Sequence, residues 1–308
     1  MDFFLILEKI GSVFLLMLVG YVFARLAKPS EQSRGLLAAL VLNISVPASM
    51  LASVNEVDFD ALKGDIAALM LISAAIALVT LALCLPLSRL LEPRDRARRA
   101  VAQAALFFPN FGFLGWPVCR MLLGDTGLLY AMLSSIPLNV LMYAITPVLL
   151  GRANRDARVF DKKMLINLPV YSALAAITLM ACGVKLPPAA ASLVGMLGDT
   201  QTPLAMMIVG MMLADARPAD VVSGWKPYAF SAIRLGLFPL IAFAGLKWLG
   251  FSGLLLSVPV LLTAMPAGTM SAVLTQRAGL DAVYASRLVV VSTLVSLAAI
   301  PLNALLVL

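Results

Sequence analysis

Histidine is absent from this 308-residue chain, and charged residues make up only 13% of it. Without histidine, the His-Glu-x-x-His motif of metalloproteases is excluded, and no imidazole is available to share a metal with cysteine. The scarcity of charge, with 62% hydrophobic residues and a mean hydropathy of +0.99, excludes an ordinary soluble domain. Cysteine is scarce as well. Cys84, Cys119 and Cys182 stand alone in apolar segments without C-x-x-C spacing, and read as small hydrophobes. No stretch suggests low complexity, lipidation or a soluble appendix. The N-terminal run M-D-F-F-L-I-L-E-K begins acidic, carries Glu8 and Lys9 inside its apolar stretch and meets no A-x-A site, so a cleaved signal peptide is not expected.

What is present is long apolar sequence. In lipid only helices and closed barrels satisfy the backbone, and continuous apolar runs rather than period-2 alternation select helices. Spans are expected at about 3–24, 35–54, 66–90, 100–123, 127–150, 163–183, 189–214, 227–249, 253–276 and 282–307, ten in all. The net charge of +7 does not point to nucleic acid, because the basic residues lie in short clusters between spans without aromatic interleaving. Alternate loops collect 17 of them: Arg25, Lys28, Arg34; Arg89, Arg94, Arg96, Arg98, Arg99; Arg152, Arg155, Arg158, Lys162, Lys163; Arg217, Lys226; Arg277, Arg287. The other side has Lys9, Lys63, Arg120, Lys185 and Lys247, and Arg234 falls inside the eighth span. The positive-inside rule therefore places both termini outside the cytoplasm.

Five spans per half is an odd number, so related halves would be inverted in the membrane. Landmarks recur. Asn43 precedes Pro47 by four residues and Asp199 precedes Pro203 by four, 156 residues on. Pro109 in span 4 matches Pro266 in span 9 at an offset of 157, and Tyr130-Ala131 with Pro147 matches Tyr284-Ala285 with Pro301 at 154. The alternative is plain recurrence of proline, which is common in membrane helices. The repeats would cover residues 1–154 and 155–308.

Pro109 and Pro266 each remove a donor and clash with the carbonyl four residues back, in a medium that cannot repair the ladder. In span 4 the break comes roughly 13 Å in, near mid-bilayer, and span 9 breaks at comparable depth from the opposite face. Opposed broken helices in equivalent halves point to a transporter binding site. Each second half-helix aims free N–H groups and a positive dipole end into the cavity, so the expected guest is an anion. Asn110 serves as a ligand contact or as a helix cap. Gly112 and Gly115 permit close backbone approach, and Gly268, Thr269 and Ser271 supply comparable chemistry in span 9. The second proline of the motif, Pro117, has no counterpart and reads as a bend.

Other polar residues lie at depth. Asp199 reads as a proton-coupling carboxylate, as a partner of the backbone broken at Pro203, or as a helix-end residue. Its repeat mate Asn43 is uncharged, and Gln201 lies in the same D-T-Q-T-P run. Arg234 pairs with Asp199 or a substrate carboxylate, or snorkels toward the basic side. Arg120 and Arg277 collect anions or anchor at the interface. Asn139 and Thr293 occupy matching depths and form either a second polar shell, with a cation site, or a cross-helix hydrogen bond.

The run N-F-G-F-L-G-W-P-V-C-R-M-L-L-G-D-T-G-L-L-Y-A, the C-terminal A-S-R-L-V-V-V-S-T-L-V-S-L-A-A-I-P-L and, more weakly, P-L-A-M-M-I-V-G resemble the auxin efflux carrier family in its short-looped bacterial form. The resemblance implies an all-α polytopic membrane protein of ten transmembrane helices in two inverted five-helix repeats, like bile acid/sodium symporters. Helices 1, 2, 6 and 7 would form a scaffold, with a homodimer through helices 2 and 7. Helices 3–5 and 8–10 would form a transport domain in which helices 4 and 9 cross at the substrate. It further implies elevator-like carriage of small organic anions such as auxin, malonate or other carboxylates. The family's asparagine beside the first crossover proline matches Asn110. Pro266-Ala267-Gly268-Thr269 stands where a second amide would be expected.

The expectation is a secondary transporter in the plasma membrane, a bacterial inner membrane, with no cofactor, no nucleic-acid partner, and Na+ or H+ as candidate coupling ion. The alternatives are a sodium-coupled symporter of larger, bile-acid-type anions and a membrane sensor. A channel is disfavoured because no ring of like charge or filter repeat occurs. An aspartyl intramembrane protease is disfavoured because Asp199 in G-M-L-G-D lacks the G-x-G-D spacing and a Y-D partner.

Overall fold

A computed structural model describes residues 3–154, 168–214 and 224–308. Arg155, Arg158, Lys162, Lys163 and Arg217, used above to read topology, and the first residues of the sixth expected span lie outside the described residues. The described chain is helical, without strands. Its elements are α1 (Phe3–Ala27), α2 (Glu31–Glu56), the short α3 (Phe59–Lys63), α4 (Ile66–Leu91), α5 (Arg96–Phe107), α6 (Phe111–Gly151), α7 (Leu168–Ala181), α8 (Pro188–Asp199), α9 (Gln201–Ala214), α10 (Lys226–Trp248), α11 (Leu254–Thr263), α12 (Thr269–Arg277) and α13 (Ala282–Val307). Six are long and apolar enough to cross a membrane: the Glu8–Ala27 part of α1, α2, α4, α6, α10 and α13. The protein is therefore multi-pass.

Capping residues set several boundaries that hydropathy misses. Ser30 accepts from the Ser33 amide at 3.1 Å, Asp95 from Arg98 at 2.9 Å and Asp281 from Tyr284 at 2.9 Å. The first two start α2 and α5 four residues before the apolar runs predict. Gly124, with φ 72° and ψ −166°, interrupts α6 where the sequence predicts a boundary between two spans.

Among the described residues three helices contain a π-turn, at Val41–Ser45, Phe111–Gly115 and Ile233–Leu237. In each, a proline follows two residues after the turn: Pro47, Pro117 and Pro239. A proline ring collides with the carbonyl four residues back, and the wider π-turn makes room for it. This gives Pro117 a role that its sequence context did not reveal. At Pro239 the freed carbonyl, that of Leu235, accepts a hydrogen bond from Asn303 Nδ2 at 2.9 Å.

The chain divides into two compact units. The first comprises Met1–Leu69, Gly112–Leu133 and Ile166–Asp215. Within it α1 and α9 meet backbone to backbone. A Cβ on Gly20 would collide with the Met207 carbonyl, and one on Gly210 with the Met17 carbonyl. Small residues at such crossings replace the hydrophobic driving force that lipid removes. Helix α2 is stitched to the end of α8. Ser49 Oγ donates to the Gly198 carbonyl at 2.9 Å, and the Ser45 and Thr200 hydroxyls are 2.7 Å apart. The N-I-S-V-P and G-D-T-Q-T-P runs thus pack together.

The second unit comprises Met70–Phe111, Ser134–Leu165 and Ala216–Leu308. Helix α13 packs against α10, α11, α12 and α5. One end of the unit is fastened by Glu92, only 2% exposed, which bonds Lys226 Nζ at 2.7 Å and accepts from the Tyr284 hydroxyl at 3.0 Å. Arg98 pairs with Asp281 at 3.1 Å and lies over the Tyr284 ring. Arg98 and Lys226, read from sequence as topology signals, also hold helices together.

Candidate functional site

The site is built where two helices stop. Helix α5 ends at Phe107, and Phe108 is extended (φ −103°, ψ 92°), as the residue before a proline is biased to be. Helix α11 ends at Thr263, and the chain runs without helix through Pro266 to Gly268 before α12 begins at Thr269. The two interruptions form a single antiparallel bridge, Pro109 against Ala267. The Asn110 amide donates to the Pro266 carbonyl at 2.8 Å, and the Gly268 amide donates to the Phe108 carbonyl at 2.7 Å. The Ala267 amide donates to Ser292 Oγ at 3.2 Å. Backbone groups lost to the helices are thus satisfied within protein, as a membrane interior demands.

Glycine at 268 is sterically required. A Cβ there would lie 2.8 Å from Phe108 Cδ1 and 3.1 Å from the Pro109 carbonyl oxygen. Gly112 differs. A Cβ on it would meet only the Trp116 ring at 3.9 Å, so its place in the π-turn opening α6 does not depend on a missing side chain. Gly115 closes the same turn.

Asn110 is 5% exposed, and its carboxamide has no hydrogen-bond partner among the described residues. A buried amide left open beside two helix N-termini can donate to an anion and accept from a protonated one. Thr269 is half-buried at the first position of α12. The Ser271 amide and hydroxyl both donate to the Gly268 carbonyl, at 2.9 and 2.7 Å, so that hydroxyl retains only acceptor capacity. Asn139 is buried in α6 without a partner among the described residues, whereas the Thr293 hydroxyl donates to the Val289 carbonyl at 2.8 Å. The residue of this stretch that touches the crossover is Ser292, next to Thr293 in the sequence, which sequence reasoning passed over for its neighbour. The S-T pair itself was the available signal.

Beside the crossover, wholly inside the second unit, is a cavity of about 20 Å³, lined by Ile76, Thr80, Pro109, Leu138, Met142 and Thr263 among others. That is space for about one water. Arg234, on the π-turn of α10, also lines it. Snorkelling is not what the structure shows, since Arg234 is 1% exposed. No acidic group among the described residues pairs with it, and its guanidinium lies 5.8 Å from the Phe238 ring.

Asp199 has a different partner. It is the last residue of α8, its side chain is 71% exposed, and it lies 2.8 Å from Arg120 Nη2. Arg120 also bonds Asp125 at 2.8 Å and the Gly198 carbonyl at 3.3 Å. Arg120, read from sequence as an anion collector or anchor, is therefore held by two carboxylates. Asn43 is exposed on the π-turn of α2. Gln201 is fully buried in the first unit, and neither carboxamide atom has a partner among the described residues. The first unit also holds a cavity of about 400 Å³ lined by Asp58, Asp60, Lys63 and Lys185. Among the described residues no three His, Cys, Asp or Glu side chains gather to hold a metal.

Comparison with known proteins agrees with the family resemblance read from the crossover motif. The chain is 28% identical over 306 residues to an "Uncharacterized transporter" of Methanothermobacter thermautotrophicus, covering 96% of each chain. It is 23% identical over 304 residues to a "Putative malonate transporter" of Rhizobium meliloti, covering 96% of this chain and 92% of that one. Residues 5–303 match the family described as membrane transport protein. With the match running through both interrupted helices and nearly the whole sequence, the chain belongs to this family, that of the auxin efflux carriers, and is a membrane transporter rather than an enzyme.

Proposed function

We propose that the protein is a secondary active carrier of small organic anions, and that the anion is held where the Phe108–Asn110 and Pro266–Gly268 segments cross. Malonate-type carboxylates are the leading substrates, the class named for the Rhizobium meliloti relative. The observation that carries this reading is the open carboxamide of Asn110, buried beside the start of α6, with the N-terminus of α12 entered directly from the other half of the crossover. Helix N-termini and an uncommitted amide bind carboxylate without an added cation.

The crossover lies entirely within one compact unit, which suits carriage of the site as a body. In this reading helices 3–5 and 8–10 of two inverted five-helix repeats move as an elevator against a scaffold of helices 1, 2, 6 and 7. The scaffold pairs with a second copy through helices 2 and 7. Transport is driven by Na+ or H+, in a plasma membrane with both termini outside. The test is uptake of radiolabelled malonate and indole-3-acetate into proteoliposomes, with sodium and proton gradients imposed separately. Accumulation under one gradient, reduced by Asn110→Ala, supports the reading. Absence of carboxylate flux under every gradient overturns it.

A further inference from the structure

The least accounted-for group in the second unit is Arg234. Its Nε and Nη2 atoms are buried without a hydrogen-bond partner among the described residues. A guanidinium is always charged, and a buried charge without a counter-ion is strongly disfavoured unless a partner arrives. The helix does not need it for repair. The carbonyl released by Pro239 is taken by Asn303. The π-turn instead presents the guanidinium to the same small cavity that Pro109 walls, among the apolar side chains of Ile76, Leu138 and Met142.

We propose that Arg234 is the counter-charge for one carboxylate of the transported anion, received in the cavity beside Pro109. This rests on the carrier reading given above and specifies its ligand: a planar carboxylate on a small anion. The guanidinium fork matches a carboxylate through two parallel hydrogen bonds, a geometry that a halide cannot use. The Thr263 hydroxyl already donates to the Pro259 carbonyl at 2.8 Å, and Thr80, the other hydroxyl of the lining, carries no charge, so the charge selection falls to Arg234. Because the cavity holds about one water, Leu138 or Met142 must shift as the carboxylate enters. The remainder of the ligand then extends past Pro109 toward Asn110. Apolar walls leave no second counter-charge in the cavity, so any further carboxylate must be met at the crossover.

The experiment uses the purified full-length protein in detergent, wild type, Arg234→Lys and Arg234→Gln. Thermal denaturation is followed against increasing malonate, succinate and indole-3-acetate, with sodium chloride at matched ionic strength as reference. The expected result is saturable stabilisation of the wild type by at least one carboxylate, weakened about 30-fold or more in Arg234→Gln. Arg234→Lys, which keeps the charge and loses the fork, falls between. If the glutamine variant does not fold, the lysine variant decides, since unchanged affinity there overturns the paired-bond assignment. Equal carboxylate affinity in wild type and variants overturns the role of Arg234 while leaving the carrier reading intact. No stabilisation of the wild type by any of the three carboxylates overturns both.

Discussion

Gly268→Ala tests whether the crossing of the two interrupted segments organises this protein. The added Cβ would sit 2.8 Å from Phe108 Cδ1, 3.1 Å from the Pro109 carbonyl oxygen and 3.2 Å from that of Phe108. Two of these three atoms belong to backbone that cannot swing aside. Overpacking of this kind costs about 1–3 kcal/mol. If the segments separate to relieve it, the 2.7 Å bond from the Gly268 amide to the Phe108 carbonyl breaks inside the protein. A buried group left unpaired adds about 1–3 kcal/mol. Together, roughly 2–6 kcal/mol corresponds, for a 308-residue chain, to a fall in denaturation midpoint of about 3–9 °C. The control is Gly112→Ala, where the nearest atom would be 3.9 Å away and no clash arises. Its effect should stay within about 0.5 kcal/mol. Both variants are purified in detergent, their midpoints measured by intrinsic fluorescence and their malonate uptake compared. Equal midpoints for Gly268→Ala and wild type, or equal damage from the two alanines, would refute the steric argument.

Asn110→Ala should leave the denaturation midpoint near wild type, since no hydrogen bond among the described residues is lost, while the malonate half-saturation concentration rises about 10-fold or more. Gly210→Leu should prevent α1 and α9 from closing on each other, read as loss of the monodisperse peak in size-exclusion chromatography. Glu92→Ala should destabilise the protein by about 2–4 kcal/mol, because the Lys226 and Tyr284 hydrogen bonds to a buried carboxylate are lost together; thermal denaturation measures this.

Membrane class, helical content and the placement of the interruptions were legible because hydropathy and proline act locally. Pro109 and Pro266 break helices wherever they stand, and lipid offers their backbone no other partners. The identity of those partners was less accessible. That Asn110 and Gly268 donate to each other's segment requires residues more than 150 positions apart to meet, and Gly268, unlike Gly112, is held there by a clash. Pro117 was opaque for another reason. Its clash is relieved by a π-turn, a change of helix width that period-based reading cannot register. Asp199 and Arg234 resemble one another in sequence, each a lone charge in an apolar run. Tertiary packing separates them: Asp199 gains Arg120 at a helix end, and Arg234 is buried with no acid paired to it among the described residues. The role of Lys226 as a clamp on Glu92 was hidden behind its membership of a basic cluster.

The most direct measurement is a structure of the protein with bound malonate, determined by electron cryomicroscopy in lipid nanodiscs and compared with a ligand-free map. New density is expected in contact with the Asn110 carboxamide and the N-terminal turn of α12, between Pro109 and Thr269. Density at the loop cavity of the first unit beside Lys63 and Lys185, with the crossover unchanged, would contradict it.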